Sequence, residues 1–313
     1  MIINCLILEK INLPNFNKKI NKNIKIVDLS GQNKNEYLKI IHKFDVIFIK
    51  SRTIINKEFI SKANNLKVIA RMGVGKENID MQSCDKRKIK VFTIPGGNSE
   101  AASEFTICMI LNMTRKIFTA NENISKNLYN RDLVTGIGLN SLNIGIVGYG
   151  NVGKKVARKL YALGVNKIYI YDKKKPKVLN KNFIFLKSLD KLISYSNVVS
   201  IHLTLNEDTN NLFNLKNLKL FQRNSILINT SRGLIVNDKD VIKTIKINNL
   251  SYVSDVLKNE PNYETNKKQL IKNILLNKKN IIITPHMAAM TYDTQNNLSL
   301  KMFEKIFKYF AIK

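Results

Sequence analysis

Residues 143–172 read NIGIVGYGNVGKKVARKLYALGVNKIYIYD, and everything else in the chain is arranged around this stretch. Ile144 to Val147 is a short, mostly β-branched apolar run, the pattern of a strand buried in a parallel sheet. It ends in Gly148-Tyr149-Gly150-Asn151-Val152-Gly153, after which Val152, Val156, Ala157, Leu160 and Leu163 recur at helical spacing. The helix stops near Gly164, and a second strand, residues 167–171, carries Asp172 at its end. Such a β-α-β unit with glycines at its first turn is built for a dinucleotide. Gly148 allows the tight turn, Gly150 lets the backbone approach a pyrophosphate, and Gly153 lets the helix pack close to the strand. The helix N-terminus, with Asn151 and Val152 in its first turn, offers N–H groups and a partial positive charge to the anion. Asp172, about 20 residues past the glycines, is placed to accept hydrogen bonds from an adenosine ribose. Its charge would repel a 2′-phosphate, which favours NAD over NADP. Lys173, Lys174 and Lys175 follow at once, either softening that preference or forming a solvated loop.

At 313 residues the chain is long enough for two domains with separate cores. Its hydrophobic share of 44% and charged share of 24% are those of an ordinary soluble protein. No apolar run reaches membrane-spanning length, and the apolar start, Met1 to Leu8, lacks a basic leader and a cleavage site, so it reads as a first strand. The net charge of +29 raises the question of nucleic acid. The cations are mostly lysine, spread along a chain also rich in Asn and Ile, as AT-rich codons would produce. There is no basic-aromatic cluster, so specific nucleic-acid binding is not expected, and the charge serves at most to attract anionic substrates. Cys5, Cys84 and Cys108 are isolated, each in or beside an apolar segment. Buried thiols in a reducing cytoplasm are expected, with neither a disulfide nor a metal site.

Before the central unit, strands at 2–8, 24–29, 46–49, 68–70 and 91–93 alternate with helical stretches at 37–42, 57–63 and 79–86, which predicts a parallel sheet covered on both faces. Pro95-Gly96-Gly97 breaks the pattern, and Asn98 or Ser99 caps a helix running to about Ile117 that is apolar almost all round. Residues 121–142 are polar and read as a long connection or arm. After Asp172 the alternation resumes, with strands at 183–186, 198–203, 226–229, 252–256 and 281–284. Helices are expected at 188–195, 215–221, 238–247 and 267–276, and a last one at 292–310.

Ligands of an open parallel sheet bind beyond the carboxyl ends of its strands. Three polar groups fall there: Arg232 in Thr230-Ser231-Arg232-Gly233, Glu260 in DVLKNEP at 255–261, and His286 in TPHMAAMT at 284–291. A cation to polarise a carbonyl, a proton donor and a carboxylate to tune it suit hydride transfer to a carbonyl. Taken singly, each has an ordinary structural role open to it. His202, inside an apolar strand, reads as a packed histidine, and His42 as an exposed one.

Together with ARMGVGKENID at 70–80, GGNSEAASE at 96–104 and TSRGLIVN at 230–237, these motifs make the chain resemble the D-isomer-specific 2-hydroxyacid dehydrogenases from Lys50 to the last helix. The resemblance implies two doubly wound α/β domains. One is a flavodoxin-like substrate domain, residues 1–98 completed by the helix at 290–313, and the other a Rossmann NAD-binding domain at 99–289. It implies a cleft that closes over substrate and NAD, with His286 as acid-base catalyst and Glu260 holding its imidazole and favouring the charged form. Arg232 would bind the substrate carboxylate and the reacting oxygen. Backbone N–H groups at Gly73, Val74 and Gly75 would bind the same carboxylate, with Asn98 nearby, while Thr230 and Asp255 would face the cofactor, Asp255 at the nicotinamide carboxamide. Within the family the nearest likeness is to the phosphoglycerate dehydrogenases, carried by Lys50-Ser51-Arg52-Thr53 and Gly97-Asn98-Ser99, with Lys50 and Arg52 available to a substrate phosphate. The expected reaction is 3-phosphoglycerate to 3-phosphohydroxypyruvate, the first step of serine biosynthesis. Glyoxylate or hydroxypyruvate reduction is the competing activity, and an NAD-sensing, corepressor-like binding protein the competing class. A homodimer or homotetramer is implied, through the helix at 99–117 and the arm. Two departures stand out. The chain has His202-Leu203-Thr204 where many relatives have His-x-Pro, and it ends after the 292–310 helix, so no regulatory domain is expected there.

Overall fold

The computed structural model describes residues 2–14, 22–177, 179–258, 260, 273–278 and 280–311. The chain divides into two compact units, Met1–Asn98 with Pro261–Leu270 and Met290–Lys313, and Ser99–Glu260 with Ile271–Ala289.

The first unit is a five-stranded parallel sheet of β1 (Ile3–Ile7), β2 (Ile24–Asp28), β3 (Val46–Ile49), β4 (Val68–Arg71) and β5 (Lys90–Phe92), in the order β2-β1-β3-β4-β5. That is the flavodoxin-like order. Strands β3 and β4 are buried at every position because helices cover both faces. Successive side chains of a strand point to opposite faces, and the cores divide accordingly. Leu6, Ile47, Ile49 and Ile69 pack with residues of α1 (Lys34–Ile40), α2 (Lys57–Lys62) and α3 (Met81–Lys86). Ile7, Phe48, Val68 and Ala70 pack on Leu298, Met302, Phe303 and Ile306 of the C-terminal helix at Tyr292–Tyr309, with the Phe48 and Phe303 rings 4.8 Å apart. The spacing of these four helical residues is why the chain returns to this sheet.

The second unit is a seven-stranded parallel sheet. Its strands are β6 (Asn143–Val147), β7 (Lys167–Tyr171), β8 (Phe183–Phe185), β9 (Val198–Ile201), β10 (Ile226–Asn229), β11 (Ser251–Ser254) and β12 (Ile281–Ile283). They lie in the order β12-β11-β10-β9-β6-β7-β8. Strand order reverses between β6 and β9, so the crevice open to a ligand lies beyond the carboxyl ends of these two. Helix α4 (Ser99–Arg115) packs on α6 (Asn151–Ala162), with Glu100 paired to Lys155 and Lys159. These lysines hold the Glu100 carboxyl down at about 2.

Two expectations need correction. The first helix of this unit ends at Arg115, because Lys116 turns into the left-handed region (φ 54°), and a separate helix α5 (Ile117–Ser125) reaches into the segment at 121–142 expected to be a long connection or arm. Cys108 is exposed on α4, whereas Cys5 and Cys84 are buried. Helical spacing alone does not say which side of a helix meets a neighbour. The helix expected at 267–276 lies largely outside the described residues, and its described part, from Asn273, is a turn. Among the described residues no helix is long and apolar enough to cross a membrane.

Candidate active site

The glycine turn sits at the switch point. Gly148 has φ +94°, and a side chain there would meet the His202 carbonyl oxygen at 2.5 Å, so the turn after β6 lies directly on the chain leaving β9. A Cβ on Gly153 would lie 2.0 Å from the Gly148 carbonyl oxygen, which is the close helix–strand packing that the third glycine permits. Gly150 is different. Nothing lies within 4 Å of its would-be Cβ, so its backbone faces open space. Gly150 is the N-cap of α6, and no side chain caps that helix, which leaves its first-turn amides to an anion. Asn151 is exposed and Val152 half-buried in this turn. Asp172 accepts the Tyr149 N–H through Oδ2 at 2.7 Å, which ties the end of β7 to the glycine turn and leaves Oδ1 for a ribose hydroxyl. A turn with open space at its second glycine, an uncapped helix and a terminal carboxylate fits the pyrophosphate and ribose of NAD. Lys173, the first of the three lysines after Asp172, pairs with Asp208 at 2.7 Å.

Further along the same rim, His286 Nδ1 lies 2.8 Å from Glu260 Oε2, both side chains about one-third exposed. The other ring nitrogen, Nε2, takes no part in this pair. His286 also has φ +55°, a left-handed backbone that costs a non-glycine residue on the order of 1–3 kcal/mol and persists only where its surroundings over-determine it. Asp255 does this. Buried to 1% exposure at the end of β11, it accepts Thr284 Oγ1 at 2.6 Å, Met287 N at 2.9 Å and Ala288 N at 2.8 Å. Both its oxygens serve the turn that carries the histidine.

Arg232 is half-buried on the turn after β10, its Nη1 donating to the Ser231 carbonyl at 2.8 Å. A Cβ on the next residue, Gly233, would meet Leu257 and Lys258 backbone at 2.2–2.4 Å, so the arginine turn lies against the segment leading to Glu260. Thr230 Oγ1 is 3.1 Å from Thr106 Oγ1 of α4. His202 is partly buried with Nε2 2.9 Å from Ser200 Oγ, and desolvation pushes its imidazole down to about 3. His42 is exposed.

In the first unit, the turn after β3 is held from two sides. Glu9 Oε1 accepts the N–H groups of Lys50 (2.8 Å), Arg52 (3.2 Å) and Thr53 (2.9 Å), and Asn78 Nδ2 donates to the carbonyls of Lys50 and Thr53. Lys50 Nζ donates to Gln295 Oε1 at 2.8 Å. Its ammonium lies below the ordinary lysine range. Desolvation is the chief cause, with Glu9 opposing it and the charges of Arg52 and Lys10 adding to it. Arg52 is exposed. Gly73 lies under the guanidinium of buried Arg71, whose Nη1 occupies the space of a Cβ, while Val74 is 45% exposed and Asn98 half-buried. Glu9 and Gln295 belong to the arrangement without a sequence signal, since each acts through a contact that only the fold creates, whereas Arg71 stands inside the motif at 70–80 without being marked there as a site residue. Among the described residues no cluster suited to a metal ion occurs.

The model of the D-isomer specific 2-hydroxyacid dehydrogenase NAD binding domain matches residues 107–288. The hydroxypyruvate reductase of Thermotoga maritima is 30% identical over 282 residues, 89% of each chain. The D-3-phosphoglycerate dehydrogenase of Archaeoglobus fulgidus is also 30% identical, over 88% of this chain but 51% of that one, so the chain spans about half its length. The structure of Aquifex aeolicus D-lactate dehydrogenase complexed with NAD and lactic acid matches with a TM-score of 0.82 at 26% identity, covering 98% of this chain and 95% of that one. The chain belongs to the D-isomer specific 2-hydroxyacid dehydrogenases, oxidoreductases whose cofactor is NAD.

Proposed function

We propose that the protein oxidises the hydroxyl of a D-2-hydroxy acid, with 3-phosphoglycerate as substrate and 3-phosphohydroxypyruvate as product. The observation that carries this reading is the turn at 50–53, where a desolvated lysine and an arginine are presented on a backbone fixed by Glu9 and Asn78. A phosphate is a group that both cations could hold at once, with a double charge and several acceptor oxygens. In this reading residues 1–98 with the last helix bind the substrate, the backbone N–H groups at Gly73, Val74 and Gly75 take its carboxylate, and Asn98 lies beside them. Residues 99–289 bind the cofactor, Thr230 and Asp255 lying on its side.

NAD supplies the two-electron chemistry when bound. The chain's own residues bind, orient and move one proton. Arg232 holds the carboxylate and the reacting oxygen with a planar, permanently charged fork. His286 takes the hydroxyl proton on Nε2, or returns it in the reverse direction, and Glu260 at Nδ1 fixes the ring and balances the imidazolium that forms. Asp255 keeps the histidine turn in its left-handed form.

The second reading is a hydroxypyruvate or glyoxylate reductase, favoured by the 89% two-way coverage of the Thermotoga relative. Steady-state rates separate the two. NAD with 3-phosphoglycerate is compared with NADH plus hydroxypyruvate or glyoxylate, in wild type and in Lys50→Ala/Arg52→Ala. A phosphoglycerate rate lost selectively in the double variant is expected. Good turnover of the unphosphorylated acids, unchanged in the variant, would move the protein to the reductase reading. Tight NAD binding without turnover would favour a binding protein.

Homodimerisation through α4, α5 and the following segment belongs to the same proposal. Ile117, Phe118, Ile124, Tyr129, Leu133 and Ile137 are all exposed there, an apolar surface of the kind that a partner covers. The same reading takes the protein as cytoplasmic, with Cys5 and Cys84 as buried thiols and Cys108 as an exposed one.

A further inference from the structure

We propose that Asn229 is a positioning residue for Arg232, fixing the substrate-facing guanidinium through the backbone beneath it. Asn229 ends β10 and is fully buried. Its Nδ2 donates to the Arg232 carbonyl at 2.9 Å, and its Oδ1 accepts the Ser231 N–H at 3.0 Å. These two bonds hold the peptide groups on either side of the Ser231–Arg232 peptide. The carbonyl of that middle peptide, Ser231 O, is the acceptor of Arg232 Nη1 at 2.8 Å. One buried amide thus sets the plane of the acceptor on which the guanidinium rests.

On the neighbouring strand Ser254 pairs in register with Asn229 and accepts the Tyr252 hydroxyl at 3.2 Å, and burial pushes that phenol up to about 12, so it stays neutral. Ser231 Oγ donates to the Ile201 carbonyl at 2.7 Å, which anchors the turn to the neighbouring strand. On the far side Gly233 touches the Leu257–Lys258 backbone, so the turn has no room to shift toward Glu260. The long arginine side chain therefore departs from a backbone with one available arrangement, which reduces the conformations lost when substrate binds.

The chemistry demands an amide at this position. Aspartate has the same shape but accepts only, so it would face the Arg232 carbonyl with no proton and add a buried charge. Leucine would leave both the Ser231 N–H and the Arg232 carbonyl without their partner.

The inference rests on the reading that Arg232 binds the substrate carboxylate, and a double-mutant cycle separates the two. kcat/KM for 3-phosphoglycerate at saturating NAD, or for hydroxypyruvate at saturating NADH if wild type prefers it, is measured in wild type, Asn229→Asp, Arg232→Ala and the double variant. Asn229→Asp should lower kcat/KM about 10- to 100-fold, largely through KM, with the NADH dissociation constant within about 2-fold of wild type. In the Arg232→Ala background the same change should cost less than about 2-fold. An equal loss in both backgrounds, or no loss in wild type, overturns the inference. A harmless Arg232→Ala instead sinks the carboxylate reading and this inference with it. If Asn229→Asp does not fold, Asn229→Ser, which retains one of the two bonds, carries the same cycle with a smaller expected loss.

Discussion

Two alanine substitutions three residues apart should behave differently if the glycine turn holds a pyrophosphate. In Gly153→Ala the new Cβ would lie 2.0 Å from the Gly148 carbonyl oxygen, whereas ordinary contact begins near 3.4 Å. The helix or the turn must therefore yield by roughly 1.4 Å, in a region where Gly148 is itself fixed against the His202 carbonyl. Overpacking of this kind costs about 1–3 kcal/mol, and a displaced turn should weaken NADH at least about 10-fold, equivalent to about 1.4 kcal/mol. In Gly150→Ala the Cβ meets nothing within 4 Å, and the backbone at φ −80°, ψ −156° is open to any residue. Stability should stay within about 0.5 kcal/mol of wild type, while NADH affinity falls, since the methyl enters the space the anion approaches. Thermal unfolding and an NADH fluorescence titration on both variants supply the comparison. Wild-type NADH affinity in Gly150→Ala would refute the placement of the pyrophosphate. Unchanged stability and affinity in Gly153→Ala would refute the rigidity of the turn.

His202 titrates near 3 in the folded protein against an ordinary 6.5, so the unfolded chain binds a proton over that interval that the folded one refuses. Its contribution to stability is present above pH 6.5 and lost as the pH falls toward 3, at up to about 1.4 kcal/mol per pH unit. His202→Gln should flatten the urea-unfolding stability between pH 6.5 and 4 relative to wild type, and identical slopes would contradict this. Sedimentation velocity at micromolar protein should show a dimer that Phe118→Glu/Tyr129→Glu dissociates, and a wild-type monomer would end the dimer reading.

The parts of the fold legible in the sequence are those fixed by local periodicity. Ile144–Val147, Gly148–Gly153 and Asp172 sit within one β-α-β unit, and their spacing alone specifies strand, turn, helix and acid. Lys116 shows the limit. Nothing in its neighbours forbids a continuous helix, yet a left-handed residue divides α4 from α5. Cys108 is exposed because helix orientation is settled by packing against α6 and the sheet rather than by the residues beside it in sequence. Around the candidate site, the identities of Arg232, Glu260 and His286 stand out as polar groups at strand ends, but their supports do not. Glu9 acts 41 residues away from Lys50, and Gln295 acts 245 residues away. Asp255 reads in sequence as a cofactor contact, and in the fold its two oxygens hold the turn of His286. The left-handed backbone of His286 is likewise held by that buried carboxylate, which bonds Thr284 before it and Met287 and Ala288 after it.

The central claim is that His286 moves the proton in an NAD-dependent reaction. Its most direct test is kcat of His286→Ala at saturating NAD and substrate, paired with the NADH dissociation constant of the same protein. The account predicts a loss of about 10²–10⁴-fold in kcat, the usual worth of a general acid-base group, with NADH binding intact. Near-normal turnover in that variant would contradict it.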